Sequence, residues 1–165
     1  MLSLERVIIP LRILIVLVFA GLVVAQVMSL PGEFAQQARE APELGAAPWI
    51  LLAFGIFEIL CVQVVLVCIW RLLSLIGSDR IFSAKAFVWV DVMAWAIVVA
   101  WLALVGVAVW LMTLFLTTPE LRDPGNGVIP TGLVLIGGVV VLVVVVLRAL
   151  LHRAAEMRSD LEEVI

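Results

Sequence analysis

Val139-Val140-Val141-Leu142-Val143-Val144-Val145-Val146 is the stretch whose reading decides the fold. In water such a run reads as a strand, because β-branched side chains suit a pleated surface. In lipid an isolated strand leaves its backbone groups unpaired, so a helix is required. The solvent around the run therefore sets its structure. Outward from it, the apolar stretch extends from about Val128 to Leu147. That is about 20 residues, the length a helix needs to cross the hydrocarbon core. Three further stretches qualify or nearly do: about Val7 or Leu11 to Leu30, Trp49 to Trp70, and about Phe87 to Leu116.

Composition names the solvent. The 165 residues are 65% hydrophobic and 14% charged, with a mean hydropathy of +1.30. A soluble domain carries about 45–50% apolar and about 25% charged residues. No globular protein of this size hides so much apolar surface. The expected fold is an all-α polytopic membrane protein, a four-transmembrane-helix bundle with spans at 7–30, 49–70, 87–116 and 128–147. Residues 1–147 form that domain, and residues 148–165 a cytoplasmic helical tail. A β-barrel is disfavoured, since barrel strands are shorter and alternate apolar with polar. A net charge of −3 gives no basic face for direct nucleic-acid binding.

Turn chemistry places the breaks. Pro31-Gly32 is expected to end span one, and Pro48 enters span two, where a missing N–H costs nothing. Gly77-Ser78-Asp79 marks the turn between spans two and three. Pro119, Pro124-Gly125-Asn126-Gly127 and Pro130 bracket the connection between spans three and four. Span one reads as retained rather than as a cleaved signal peptide. Its apolar run is long, Arg12 sits late, and the residues after it lack a clean small-x-small cleavage pattern.

Arginine and lysine set the orientation. Arg6, Arg12, Arg71, Arg80, Lys85, Arg148, Arg153 and Arg158 fall at the termini and middle connection, against Arg39 and Arg122 in the other two. Both termini are thus expected inside, in a bacterial cytoplasmic (inner) membrane. Glu33, Glu40, Glu43, Glu120 and Asp123 lie in the outer connections, where acids weigh little in the rule. Trp49 and Trp70 mark opposite ends of span two, as interfacial belts require. Trp89, Trp95, Trp101 and Trp110 form no single stripe and read as anchors and packing.

Few polar residues lie at membrane depth. Glu58 is nine positions into span two, about 13 Å deep. A charged carboxylate there costs about 2.5–3.5 kcal/mol on insertion scales. It is expected to face the bundle interior, with Gln63 and Gln26 as candidate partners. It reads either as a packing hydrogen bond or as a proton or cation site. Asp91 and Arg12 lie just inside the cytoplasmic boundary, and Arg71 ends span two on the same side. An Arg12–Asp91 or Arg71–Asp91 pair is expected to neutralise that charge. Gly55, Gly106, Gly137 and Gly138 can admit close helix contacts.

Cys61 and Cys68 are seven residues apart on one helix, about 10 Å, too far for a disulfide. They read as small packing residues. One histidine, His152, excludes most histidine metal sites. No nucleotide-binding, zincin or nucleophile-elbow motif occurs, so neither catalysis nor a cofactor or metal is expected.

Past Arg148 the apolar spacing becomes a seam: Leu147, Leu150, Ala154, Met157, Leu161 and Val164. No Gly or Pro interrupts residues 147–165, so a helix of about 27 Å is expected there. It fits a protein partner, a second copy, or a position along anionic lipid.

The middle connection Gly77-Ser78-Asp79-Arg80-Ile81-Phe82-Ser83 and the closing stretch Leu150 to Ile165, which ends Asp160-Leu161-Glu162-Glu163-Val164-Ile165, carry a resemblance. With the hydropathy pattern, they resemble the YoaS-like family of small bacterial four-pass membrane proteins, a family of unknown function. Members usually end in a similar acidic tail. They often lie beside a gene for a small Cro/CI-type helix-turn-helix regulator. The resemblance implies a regulatory partnership at the membrane and supplies no catalytic residues. Three functions follow as expectations: an interaction protein acting through its tail, an accessory subunit of a larger membrane complex, and a small oligomeric transporter or channel subunit using Glu58.

Overall fold

The computed structural model describes residues 4–42, 45–76, 84–117 and 127–162. All of their regular structure is helical, with no strand among them. Helix α1 spans Leu4–Val24, a π-helical turn follows at Ala25–Ser29, and α2 spans Leu30–Glu40. Helix α3 spans Ala47–Ile76, α4 Ala84–Thr117 and α5 Val128–Glu162. The valine run lies wholly inside α5.

Among the described residues, four helical stretches are long and apolar enough to cross a membrane: Ile8–Glu40, Ala47–Leu75, Ala86–Thr117 and Val128–Ala155. The chain divides into two compact units, Met1–Ile81 and Phe82–Ile165. The turns expected at Gly77-Ser78-Asp79 and at Pro119 and Pro124-Gly125-Asn126 lie outside the described residues, as do Glu43, Glu120 and Asp123.

In the first unit α1 runs antiparallel to α3, so that Arg12 meets Ser74 while Gln26 meets Gln63. The turn expected at Pro31-Gly32 does not occur, and the helix continues through both residues to Glu40. Pro31 cannot donate to Val27, and its ring crowds that carbonyl. Val27 lies in the π-helical turn, whose wider ring accommodates the extra residue. The chain reverses later. Gly45 takes φ +54°, a left-handed conformation suited to glycine, and its N–H donates to the Pro42 carbonyl at 3.2 Å. Pro48 sits in the first turn of α3, as its chemistry predicts.

In the second unit α4 and α5 are antiparallel, with contacts spread along both helices: Asp91 meets Arg148, Trp101 meets Val134, and Met112 meets Gly127. Gly137 makes the closest approach. A Cβ placed there would lie 2.8 Å from Trp101 Cδ1. Pro130, expected in the connection, is instead the third residue of α5.

Candidate functional site

Polar side chains gather at a few levels of each helix pair. In the first unit, Gln63 Nε2 donates to Gln26 Oε1 at 2.9 Å, and Gln26 Nε2 donates to the Ile56 carbonyl at 3.3 Å. Gln63 is buried, with 7% of its surface exposed. The π-helical turn contains Gln26, and such turns re-aim one side chain by inserting a residue. The structure therefore joins Gln26 and Gln63 to each other, where the sequence suggested them as partners of Glu58. Glu58 Oε1 is buried and has no hydrogen-bond partner among the described residues.

Nearer the start of α1, the Arg12 guanidinium lies over the Trp70 ring, 5.5 Å from its centroid. Its Nη2 donates to Ser74 Oγ at 3.5 Å, a long bond, and Ser74 Oγ donates to the Trp70 carbonyl at 3.0 Å. Arg12 Nε is buried without a partner among the described residues. Beside Trp70 an apolar cavity of about 320 Å³ opens between α1 and α3.

In the second unit, Arg148 Nε donates to Asp91 Oδ1 at 2.6 Å. His152, one turn further along α5, holds Nε2 4.0 Å from the same oxygen. Its Nδ1 lies 3.1 Å from the Arg148 carbonyl, and its ring packs against Phe87 with centroids 5.3 Å apart. The acid pairs within its own unit with Arg148, which was not among the partners expected for it. Arg148 and His152 are one turn apart on α5, both within reach of Asp91. That spacing is readable in the sequence, where Arg148 otherwise serves only the orientation rule.

Trp101 was also missed. Its Nε1–H donates to the Val134 carbonyl at 2.9 Å, which turns an apparent packing residue into a polar link between α4 and α5. Gly137 and Gly138 both lie against its indole, a Cβ placed on Gly55 would lie 3.8 Å from Leu30 Cδ1, and one placed on Gly106 would meet nothing within 4 Å.

On the tail seam, Leu150 and Met157 are 57% and 63% exposed, and Ala154 is exposed too. Leu161 lies in the last turns of α5, and Val164 lies outside the described residues. Cys61 and Cys68 are free thiols. No group of three or more metal-ligating side chains occurs among the described residues.

A family model described as "Protein of unknown function (DUF2975)" matches residues 32–165. The chain belongs to this family. Glu58, Gln63, Asp91, Arg148 and the tail fall inside the matched stretch, while Arg12 and Gln26 precede it. No curated protein and no solved structure matches the chain.

Proposed function

We propose that this protein is a four-pass bacterial inner-membrane protein with both ends in the cytoplasm, acting without catalysis as a regulatory or interaction protein through the end of α5. The observation that carries the reading is the exposed seam. Leu147, Leu150 and Met157 are each more than half exposed on a helix that continues past the valine run. Apolar side chains repeated at this spacing on a charged helix need an apolar surface opposite them. The exposure of Leu135, Ile136, Leu142, Val143 and Val146 along α5 supports lipid as the solvent of the remainder. The arginine and lysine distribution supports the orientation.

A cytoplasmic regulator of the helix-turn-helix type fits the YoaS-like resemblance, and a second copy fits the same seam. Deleting residues 148–165 would also remove the Arg148–Asp91 pair, so substitution is the cleaner test. Leu150→Glu with Met157→Glu is expected to remove specific proteins captured by the wild-type chain from native membranes. Identical partner lists would sink the reading.

Glu58 favours a second reading, a subunit of an oligomeric transporter or of a larger complex. A buried carboxyl oxygen without a partner among the described residues suits a contact to another chain or to a cation. Flux through proteoliposomes, wild type against Glu58→Gln, tests it. Equal flux removes Glu58 from any transport mechanism.

A further inference from the structure

Arg12 poses a problem of charge. It sits about 6 Å inside the first apolar stretch, which begins at Ile8. An arginine at that depth needs an anion or a path to water. Among the acids of its unit whose side chains are described, Glu33, Glu40 and Glu58, none makes an ion pair with it. What Arg12 does have is the Trp70 ring beneath it and one long bond to Ser74. Stacking on an indole orients a guanidinium without neutralising it.

The cavity beside that ring supplies the second half of the observation. On α1 it is lined by Ile15, Phe19 and Ala20, and on α3 by Leu66, Val67 and Trp70. Arg12, Ile15 and Phe19 are three and four residues apart, so they share one face of α1. Leu66, Trp70 and Ser74 are each four apart and share one face of α3. Arg12 does not itself line the cavity, but it lies over Trp70, which does, so a cation stands beside one end of an apolar groove. Its volume of about 320 Å³ lies at the bottom of the roughly 300–1,000 Å³ range of ligand pockets. That suits one slender apolar chain better than a bulky molecule.

The geometry points to a binding site for one anionic phospholipid, with its phosphate on Arg12 and one acyl chain in the groove between α1 and α3. Guanidinium donors match phosphate oxygens, and the inner leaflet presents anionic lipid at this level. The site rests on the membrane reading given above, and it adds a ligand of stated chemistry to it.

The test uses the full chain, purified in mild detergent and titrated with phosphatidylglycerol or with phosphatidylcholine of the same acyl chains. Native mass spectrometry reads the lipid bound. One phosphatidylglycerol per chain is expected to bind more tightly than phosphatidylcholine. Arg12→Gln is expected to weaken phosphatidylglycerol by about fivefold, the contribution of one basic residue at such a surface, and to leave phosphatidylcholine unchanged. Ala20→Phe, which fills the groove, is expected to weaken both. Free inorganic phosphate is expected not to compete, since it brings no acyl chain. Equal binding of the two lipids to the wild type, or wild-type selectivity in Arg12→Gln, overturns the proposal, as does competition by free phosphate. If Arg12→Gln does not fold, Arg12→Met, which keeps an apolar stem beside Trp70, carries the test: it is expected to lose the preference for phosphatidylglycerol, and wild-type preference in it overturns the site. Resistance of the chain to carbonate extraction from membranes is measured alongside. Extraction by carbonate defeats the membrane reading, while resistance without lipid selectivity defeats the lipid site alone.

Discussion

Trp101 shows how one side chain joins two apolar helices. Its ring fills the space opened by Gly137 and Gly138, and its N–H reaches the Val134 carbonyl at 2.9 Å. Trp101→Phe keeps most of the ring and loses the bond. The expected cost is about 0.6–1.7 kcal/mol, the range for a single polar link between helices in a membrane, read by reversible unfolding in detergent. Gly137→Ala places a methyl 2.8 Å from Trp101 Cδ1, closer than any relaxed contact. It is expected to destabilise the wild type and to do so much less in a Trp101→Ala background, and a double-mutant cycle measures that coupling. Glu58 lies at the opposite extreme. Its Oε1 gains nothing from the described residues, so Glu58→Leu is expected to leave stability unchanged or raise it. A clear loss of stability would mean that the carboxyl is bonded in the working protein.

At the scale of elements, two devices set how helices meet. The π-helical turn at Ala25–Ser29 lets the helix pass Pro31 and points Gln26 at Gln63. With Pro31→Ala the wide turn loses its cause and can close to α geometry. One residue of register is about 100° of rotation, so the coupling between Gln26 and Gln63, measured by a double-mutant cycle in detergent, is expected to be present with Pro31 and lost with alanine there. Between α4 and α5 the device is ionic: Asp91 with Arg148, and His152 behind them. Asp91→Asn is expected to destabilise this pair of helices, and the exchange Asp91→Arg with Arg148→Asp to recover part of the loss. Thermal melts of the three proteins check it. Both side chains are about one-third exposed, so solvent screening makes the effect modest.

For the whole molecule the prediction concerns sidedness. In a background with Cys61 and Cys68 replaced by alanine, single cysteines at Lys85 and Arg153 are expected to be shielded from a membrane-impermeant thiol reagent added to intact cells. Cysteines at Pro42 and Gly127 are expected to react. Labelling at all four positions, or the reverse pattern, removes the orientation drawn from arginine and lysine. The two helix pairs also make a division of labour testable. Substitutions at the Trp101–Gly137 contact are expected to leave lipid selectivity at Arg12 unchanged, since the cation and the groove both belong to the first unit.

Composition and hydropathy alone pointed to helix, and helix is the regular structure that the described residues form. The valine run lies inside α5 despite its own β propensity. The number of long apolar helices was likewise legible, since it depends only on hydropathy along the chain. Partners were not. Hydropathy does not say which faces of two helices meet, so Asp91 was read toward Arg12 or Arg71, and Glu58 toward the glutamines. Local turn signals also misjudged Pro31, because a one-residue widening of the helix absorbs it without a break. Only the tertiary structure brought Arg148 to Asp91 and Gln26 to Gln63, and set Trp101 against Gly137. Those contacts are fixed by helix register and close packing, which periodicity along a uniformly apolar helix leaves undetermined.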